Sequence, residues 1–234
     1  MARKRHLKGF TDTSTARCRL PDVTGDAASR YERLSHGGTT WFDLMPAPAN
    51  GTDGTIGAAF TWPNFNGESF VNIGQPAKLS FADAFTIVTW ANQSTVPPRQ
   101  GNERIVSRDH IGVRDFLVSQ ADDTGIIQFY AWPGPSSAAT PGGYNTGTYH
   151  CIAAVNEGAG GDLKIYVDGA LVVTDVGGGD PVPWGAVDCE FGRHQNGADL
   201  TDYFTGAIDT GRFYGRALST DEILRAYHAG KPAH

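Results

Sequence analysis

Short apolar runs, separated by turns rich in glycine and proline, recur along the chain from about Tyr31 onward. Runs this short are typical of strands and too short for most helices. The 30 glycines and 13 prolines supply the turns that such strands need. The predicted strands are Phe70–Ile73, Phe85–Asn92, Arg104–Ser107, Asp115–Ser119, Ile126–Ala131, His150–Val155, Leu163–Asp168, Ala170–Thr174, Cys189–Gly192 and Phe204–Tyr214.

The clearest local signal is a predicted hairpin. Asp168-Gly169 separates two β-rich runs, and Asp-Gly favours the positive φ angles of a type I′ turn. Period-two alternation adds to the strand pattern in Phe85–Asn92. One face of that strand carries Phe85, Ile87, Thr89 and Ala91, and the other carries Thr86, Val88 and Trp90.

One helix is predicted near the C-terminus. Ser219 and Glu222 have the spacing of a capping box, and Gly230 with Pro232 ends the helix. Its predicted apolar stripe consists of Ile223, Leu224 and Tyr227. At most a short helix is expected near residues 27–34. Two long irregular stretches, Pro133–Thr148 and Asp175–Val187, are expected to bind a ligand or pack on a partner.

The order of these segments resembles the laminin-G-like branch of the concanavalin-A-like jelly rolls. The matching pieces are Trp41-Phe-Asp-Leu, Phe65-Asn-Gly-Glu-Ser-Phe, Phe85-Thr-Ile-Val-Thr-Trp, Tyr149-His-Cys-Ile-Ala-Ala-Val, Leu163-Lys-Ile-Tyr-Val-Asp-Gly and Phe204-Thr-Gly-Ala-Ile-Asp. Tyr149 stands where the family usually has tryptophan, which is a conservative aromatic exchange. The resemblance implies an all-β, two-sheet antiparallel jelly-roll sandwich over residues 31–234, with a short C-terminal helix. Residues 1–30 lie outside it as an N-terminal arm.

The start of the chain differs from the rest in charge. Residues 1–19 contain six basic residues and one acid, whereas the remainder contains thirteen basic and twenty-four acidic residues. Such an arm suits docking on an acidic partner surface, and a solvated tail is the alternative. Nucleic-acid binding is not expected, because the acidic body would repel the strand. The residues expected to contact the partner are Arg3, Lys4, Arg5, Lys8, Arg17 and Arg19.

Motifs of catalytic sites are absent from the sequence. No two of the six glutamates lie within five residues of each other, which excludes the Glu-x-Asp-x-x-Glu strand of polysaccharide-cleaving enzymes. Gly-x-Ser-x-Gly and His-Glu-x-x-His are also missing, and the seven histidines are scattered. We therefore expect a protein that is not an enzyme.

The loops contain residues suited to glycan recognition, which needs aromatic faces beside planar polar side chains. The expected ligand-binding residues are Trp132, Tyr144, Trp184, His194, Asn196 and Tyr203. Packing of these aromatics over the sandwich ends or at a subunit contact is the alternative.

The only cofactor expected, if there is one, is Ca²⁺, which prefers carboxylate and carbonyl oxygens as ligands. The family resemblance implies that Asp43 and Asp209 approach one another, with the turn Asn50–Asp53 adding ligands. The alternative is that both aspartates accept backbone hydrogen bonds in turns.

Export features are not apparent in the sequence. No apolar run of the length of a signal peptide follows Met1–His6, and no segment approaches a membrane span. The three cysteines, Cys18, Cys151 and Cys189, lack Cys-x-x-Cys spacing, and we expect free thiols. These features predict a chain made in the cytoplasm and not bound to a membrane.

Laminin-G-like domains usually occur outside cells, and a virion released by lysis reconciles that with cytoplasmic synthesis. We therefore expect a phage virion-surface protein: a capsid decoration protein anchored by its arm, or a tail or fibre component. Its expected partners are capsid or tail proteins, and a homo-oligomer is the general expectation. The alternatives are a lectin-like module for host or substrate attachment, with or without a calcium requirement, and an intracellular protein-interaction platform.

Overall fold

The computed structural model describes residues 29–32, 40–43, 51–55, 64–66, 69–76, 79–81, 83–94, 101–110, 113–121, 123–132, 136–179, 187–193 and 202–230. These residues form fifteen strands and one helix. The elements are β1 (Ser29–Glu32), β2 (Thr40–Asp43), β3 (Gly51–Thr55), β4 (Asn64–Asn66), β5 (Ser69–Gly74), β6 (Phe85–Gln93), β7 (Asn102–His110), β8 (Val113–Ala121), β9 (Ile126–Ala131), β10 (Ser136–Gly143), β11 (His150–Asn156), β12 (Leu163–Val167), β13 (Ala170–Asp175), β14 (Cys189–Phe191), β15 (Thr205–Tyr214) and α1 (Thr220–Gly230).

The strands form two antiparallel sheets, which confirms the predicted jelly-roll sandwich. Sheet I has the order β2-β3-β5-β14-β7-β8-β9-β10. Sheet II has the order β1-β15-β6-β11-β12-β13, with β4 pairing along the same edge of β15 as β1. Strand β2 pairs with both β1 and β3, and therefore joins the two sheets.

The main core lies between the sheets and is rich in phenylalanine. Phe85 of β6 packs against Phe116 of β8 and Phe129 of β9, with ring centroids 5.5 and 6.0 Å apart. Phe85, Ile87 and Ala91 all belong to this core, as the predicted alternation of β6 requires. All three of these phenylalanines are fully buried. The contact ties sheet II to the strands of sheet I that carry the site described below.

Helix α1 covers the other face of sheet II. Val88 and Trp90 of β6 form a second buried cluster with Ile223 and Ala226 of the helix. Tyr227 stacks on Trp90 with ring centroids 5.6 Å apart, whereas Leu224 is 40% exposed at the edge of the helix. Among the described residues, no helix is long and apolar enough to cross a membrane.

Two local predictions are confirmed in detail. Asp168 and Gly169 have φ angles of 52° and 82°, as a type I′ turn requires. At the start of α1, the Ser219 amide donates to Glu222 Oε2 at 2.8 Å, and the Glu222 amide donates to Ser219 Oγ at 3.4 Å. This reciprocal pair is the predicted capping box.

Two other predictions are wrong. The short helix expected near residues 27–34 is absent, since Ser29–Glu32 forms β1 and pairs with β15. The irregular stretch expected over Pro133–Thr148 contains β10, which pairs with β9. In both places the segment is a strand because it pairs with the free edge of a neighbouring strand. Its own weak secondary-structure propensity does not decide the outcome.

Glu222 makes the stability of α1 depend on pH. Hydrogen bonds from Arg216 and from the Ser219 amide lower the pKa of Glu222 to about 2, below its ordinary value of 4.5. Its contribution is therefore present above about pH 4.5 and is lost as the pH falls towards 2. We expect Glu222→Ala to lower the free energy of unfolding by about 1 kcal/mol at neutral pH. Denaturant titrations should show this difference shrinking in acid; a difference independent of pH would contradict the prediction.

Candidate functional site

An aromatic platform lies on the outer face of sheet I. Phe129 and Ala131 of β9 point into the core, so Tyr130 and Trp132 point outward. Their rings are nearly parallel, at 15°, with centroids 5.7 Å apart, and both side chains are partly exposed. The Trp132 amide donates to Asp115 O at 3.0 Å, which extends the β8–β9 pairing past the end of β9.

Arg114 completes the platform. Its guanidinium carbon lies 5.3 Å from the centroid of the Trp132 ring, and its side chain is 50% exposed. Its Nε lies 3.4 Å from Oδ1 of Asp109, which is buried. The aromatic platform, defined as Arg114, Tyr130 and Trp132, therefore combines two flat rings with one cation that is held in place.

A row of polar side chains crosses the same face beside the platform. Arg104 of β7, Ser119 of β8 and Gln128 of β9 occupy paired positions on three adjacent strands. We call these three residues the polar row. Arg104 Nε, Ser119 Oγ and Gln128 Oε1 are buried and make no hydrogen bond within the described structure. A buried polar atom without a partner costs about 1–3 kcal/mol, so hydrogen bonds from an ordered water or a ligand would stabilise these atoms.

A largely buried ion pair lies at β14 of sheet I. Arg193 donates to both oxygens of Glu190, from Nε at 2.7 Å and from Nη2 at 2.6 Å. Its guanidinium carbon lies 3.3 Å from the centroid of the Phe70 ring. Burial lowers the pKa of Arg193, but hydrogen bonds to Glu190 and Tyr203 raise it by more. Tyr203 is 3% exposed, so this predicted glycan contact is a buried partner of Arg193.

The rim of the sandwich carries a second polar cluster. Tyr144 packs against the main core, and its ring meets the His150 ring edge-on at 5.3 Å. His150 Nδ1 lies 2.8 Å from Asp168 Oδ2, and His150 Nε2 lies 2.9 Å from Thr146 Oγ1. We call Thr146, His150 and Asp168 the rim relay. Burial and the negative charge of Asp168 raise the pKa of Tyr144.

The structure separates the glycan-binding residues predicted from sequence. Trp132 follows the last residue of β9, whereas Tyr144 hydrogen-bonds Gly125, next to the first. The two rings therefore lie at opposite ends of β9. The remaining predicted contacts lie outside the described residues: Trp184, His194 and Asn196, with the arm residues Arg3, Lys4, Arg5, Lys8, Arg17 and Arg19.

The predicted calcium ligands lie on different strands. Asp43 of β2 is paired with Tyr31 of β1, and Tyr31 is paired with Gly211 of β15. Strand β1 thus lies between Asp43 and the strand that carries Asp209, which is buried. Among the described side chains there is no group of three or more acidic, histidine or cysteine residues that would hold a metal ion. Calcium binding stays a prediction.

The two cysteines that the structure describes are free thiols, as predicted. Cys151 and Cys189 are both buried. Burial raises the pKa of the Cys151 thiol to about 12 and raises that of Cys189 as well. Both thiols are therefore protonated at neutral pH, and neither is a nucleophile.

Sequence reasoning missed most residues of the aromatic platform and of the rim relay. Tyr130 and Arg114 were not predicted as site residues, and the contact of Arg114 with Trp132 depends on the pairing of β8 with β9. The alternation in Ile126–Ala131 was the signal that places Tyr130 on the outer face. The rim relay joins residues 146, 150 and 168, and no short motif spans that separation.

Comparisons with known proteins agree with this architecture. Residues 45–224 match the family model described as the concanavalin A-like lectin/glucanases superfamily. No curated protein matches this chain at the sequence level. Among solved structures, the receptor-binding domain of botulinum neurotoxin mosaic serotype C/D superposes with a TM-score of 0.65 at 12% identity, covering 88% of this chain and 51% of that one. The binding domain of Paraclostridial Mosquitocidal Protein 1 gives 0.67 at 13% identity, covering 86% and 52%.

A third similar structure is that of botulinum neurotoxin type C, whose cell entry is dependent upon interaction with two ganglioside molecules. It superposes with a TM-score of 0.60 at 13% identity. It covers 86% of this chain and 51% of that one, so our chain spans about half the length of these neighbours. At such identities the likeness concerns the fold. The expected virion-surface role, with capsid or tail partners, stays a prediction.

Proposed function

Since this chain belongs to the concanavalin A-like lectin/glucanase superfamily, we propose that it is a carbohydrate-binding module. The observation that carries the proposal is the aromatic platform on sheet I. Tyr130 and Trp132 present partly exposed, nearly parallel rings on a strand that the core holds rigidly. The C–H groups on one face of a pyranose ring are apolar and pack on the flat face of such rings. Aromatic side chains supply this contact area at low conformational cost.

The polar row supplies the second element that a sugar site needs. Hydroxyl groups of a sugar both donate and accept hydrogen bonds, and they match Gln128 Oε1, which has no partner within the described structure. Gln128 is partly exposed, so rotation of its side chain brings the amide to a ligand. Tyr130 lies two residues from Gln128 on the same face of β9. A sugar on the platform therefore lies next to the polar row.

Arg114 suits glycans that carry a carboxylate. Its side chain is half exposed, and stacking on Trp132 with Asp109 at Nε limits its rotation. A guanidinium that is already oriented binds a carboxylate with a smaller loss of entropy. We therefore expect acidic oligosaccharides to bind more tightly than neutral ones of the same length. The gangliosides named for a structural neighbour are acidic glycolipids, which supports the same class of ligand.

An array of immobilised neutral and acidic oligosaccharides tests the proposal. The full chain is expected to bind a subset of the array, and Tyr130→Ala/Trp132→Ala is expected to lose about 2 kcal/mol, or roughly 30-fold in affinity. Leu171→Ala is the matched control, because Leu171 is an exposed apolar side chain on sheet II. The proposal fails if no glycan binds, or if the double variant binds as tightly as the control.

A further inference from the structure

The rim relay has the geometry of an activated hydroxyl nucleophile. His150 contacts a hydroxyl with one ring nitrogen at 2.9 Å and a carboxylate with the other at 2.8 Å. If Nδ1 donates its proton to Asp168, Nε2 is left to accept the proton of Thr146 Oγ1. Thr148 Oγ1 lies 2.7 Å from Thr146 Oγ1 and is able to donate to it, which leaves the Thr146 proton directed at His150. A nucleophile, a base and a group that orients the base are thus in contact.

Each member of the rim relay is held by the backbone. The Cys151 amide donates to Asp168 Oδ1 at 2.9 Å, so the carboxylate has one oxygen fixed and offers the other to His150. Asp168 occupies the left-handed region at φ 52°, where the hairpin turn holds it. Asn92 Nδ2 donates to Gly147 O at 3.2 Å and ties down the loop that carries Thr146. The relay is therefore built on the ends of paired strands.

The loop Thr146–Thr148 also carries backbone donors. The amides of Thr146, Gly147 and Thr148 make no hydrogen bond to any described residue. Gly147 has a φ of 73°, in the left-handed region. Such amides are the donors that the oxyanion of an attacked acyl group needs.

We propose that the rim relay hydrolyses small acyl esters through a covalent acyl-Thr146 intermediate. Thr146 Oγ1 attacks the acyl carbon as its proton passes to His150 Nε2. The bond from the acyl carbon to the alcohol oxygen breaks, and the alcohol leaves with that proton. Water then attacks the acyl group and gives a proton to His150, which returns it to Thr146 as the acid departs. Ester and water are consumed, and acid and alcohol are formed. Neither the aromatic platform nor a bound glycan takes part.

Hydrolysis of p-nitrophenyl acetate by the full chain tests the proposal. We expect an initial burst of nitrophenolate, and mass spectrometry of acid-quenched protein should show an acetyl group on the peptide that contains Thr146. Thr146→Val is expected to remove both. His150→Gln should lower the rate by about 100-fold or more. Asp168→Asn keeps the turn, since asparagine also suits a type I′ position, and should lower the rate as well.

His228→Gln controls for the esterolysis that any exposed imidazole gives, because His228 lies on α1 and is exposed. Its rate should equal that of the unchanged chain. If Thr146→Val hydrolyses the ester as fast as the unchanged chain, or if no acetyl group is found on Thr146, the relay is a structural contact and the proposal is wrong. Circular dichroism of every variant separates loss of the relay from loss of the fold.

Discussion

Replacing Glu190 by alanine is expected to lower the free energy of unfolding by about 3–5 kcal/mol. The Glu190 side chain is fully buried and accepts two hydrogen bonds from Arg193 and one from Asn72. Its loss leaves a largely buried guanidinium without its main partner, and that unpaired charge carries most of the cost. Urea titration of the variant and the unchanged chain measures the difference.

Glu157→Ala is the matched control for Glu190→Ala. Glu157 is exposed and pairs with Lys164, so its loss should cost no more than about 1 kcal/mol. Equal destabilisation by the two substitutions would show that the buried pair does not hold sheet I together. A large difference supports a structural role for Glu190.

Phe85→Ala is expected to cost about 3–5 kcal/mol as well, but through a cavity. The Phe85 ring contacts Phe81, Phe116 and Phe129 at centroid distances of 6.0, 5.5 and 6.0 Å. Through these contacts Phe85 of sheet II supports β8 and β9. The surrounding rings belong to two sheets with fixed strand pairing, so they cannot collapse fully into the space. Thermal or urea unfolding measures the loss.

Phe85→Leu separates volume from ring geometry at the same position. Leucine keeps most of the buried apolar surface, so we expect a loss of less than about 1.5 kcal/mol. The glycan affinity of this variant should stay close to that of the unchanged chain, because β8 and β9 keep their support. If Phe85→Ala is no more destabilising than Phe85→Leu, the ring does not join the two sheets.

The sequence predicted the parts of the fold that local chemistry decides. Asp168-Gly169 forms its hairpin turn because few dipeptides accept two positive φ angles, and Ser219 with Glu222 caps α1 because their spacing satisfies the free amides. The alternation in β6 was also predicted correctly. Both of its faces are buried, since the core covers one face and α1 covers the other.

Strand β10 could not be predicted because its sequence has no strand propensity. Ser136–Gly143 contains no β-branched aliphatic residue, no aromatic residue and two glycines. It is a strand because the open edge of β9 offers hydrogen bonds, and a single sequence does not reveal which edge is open. The same reason applies to β1 on the edge of β15.

The site was predictable one residue at a time but not as an arrangement. Trp132 and Tyr144 were identified as aromatics in the Gly/Pro-rich stretch after β9, but the structure assigns them to different clusters. Arg114 joins Trp132 only through the register between β8 and β9. Register depends on which faces are buried, and burial is a property of the whole fold.

The central claim is that a glycan binds on the aromatic platform of sheet I, and the indole signal of Trp132 tests it most directly. A ¹⁵N-labelled chain has five tryptophan indole N–H groups, and Trp132→Phe identifies the signal of Trp132. Titration with the tightest-binding glycan from the array should shift that signal and leave the Trp90 signal unchanged, because Trp90 is buried beneath α1 on the other sheet. A glycan that binds without moving the Trp132 signal would contradict the account.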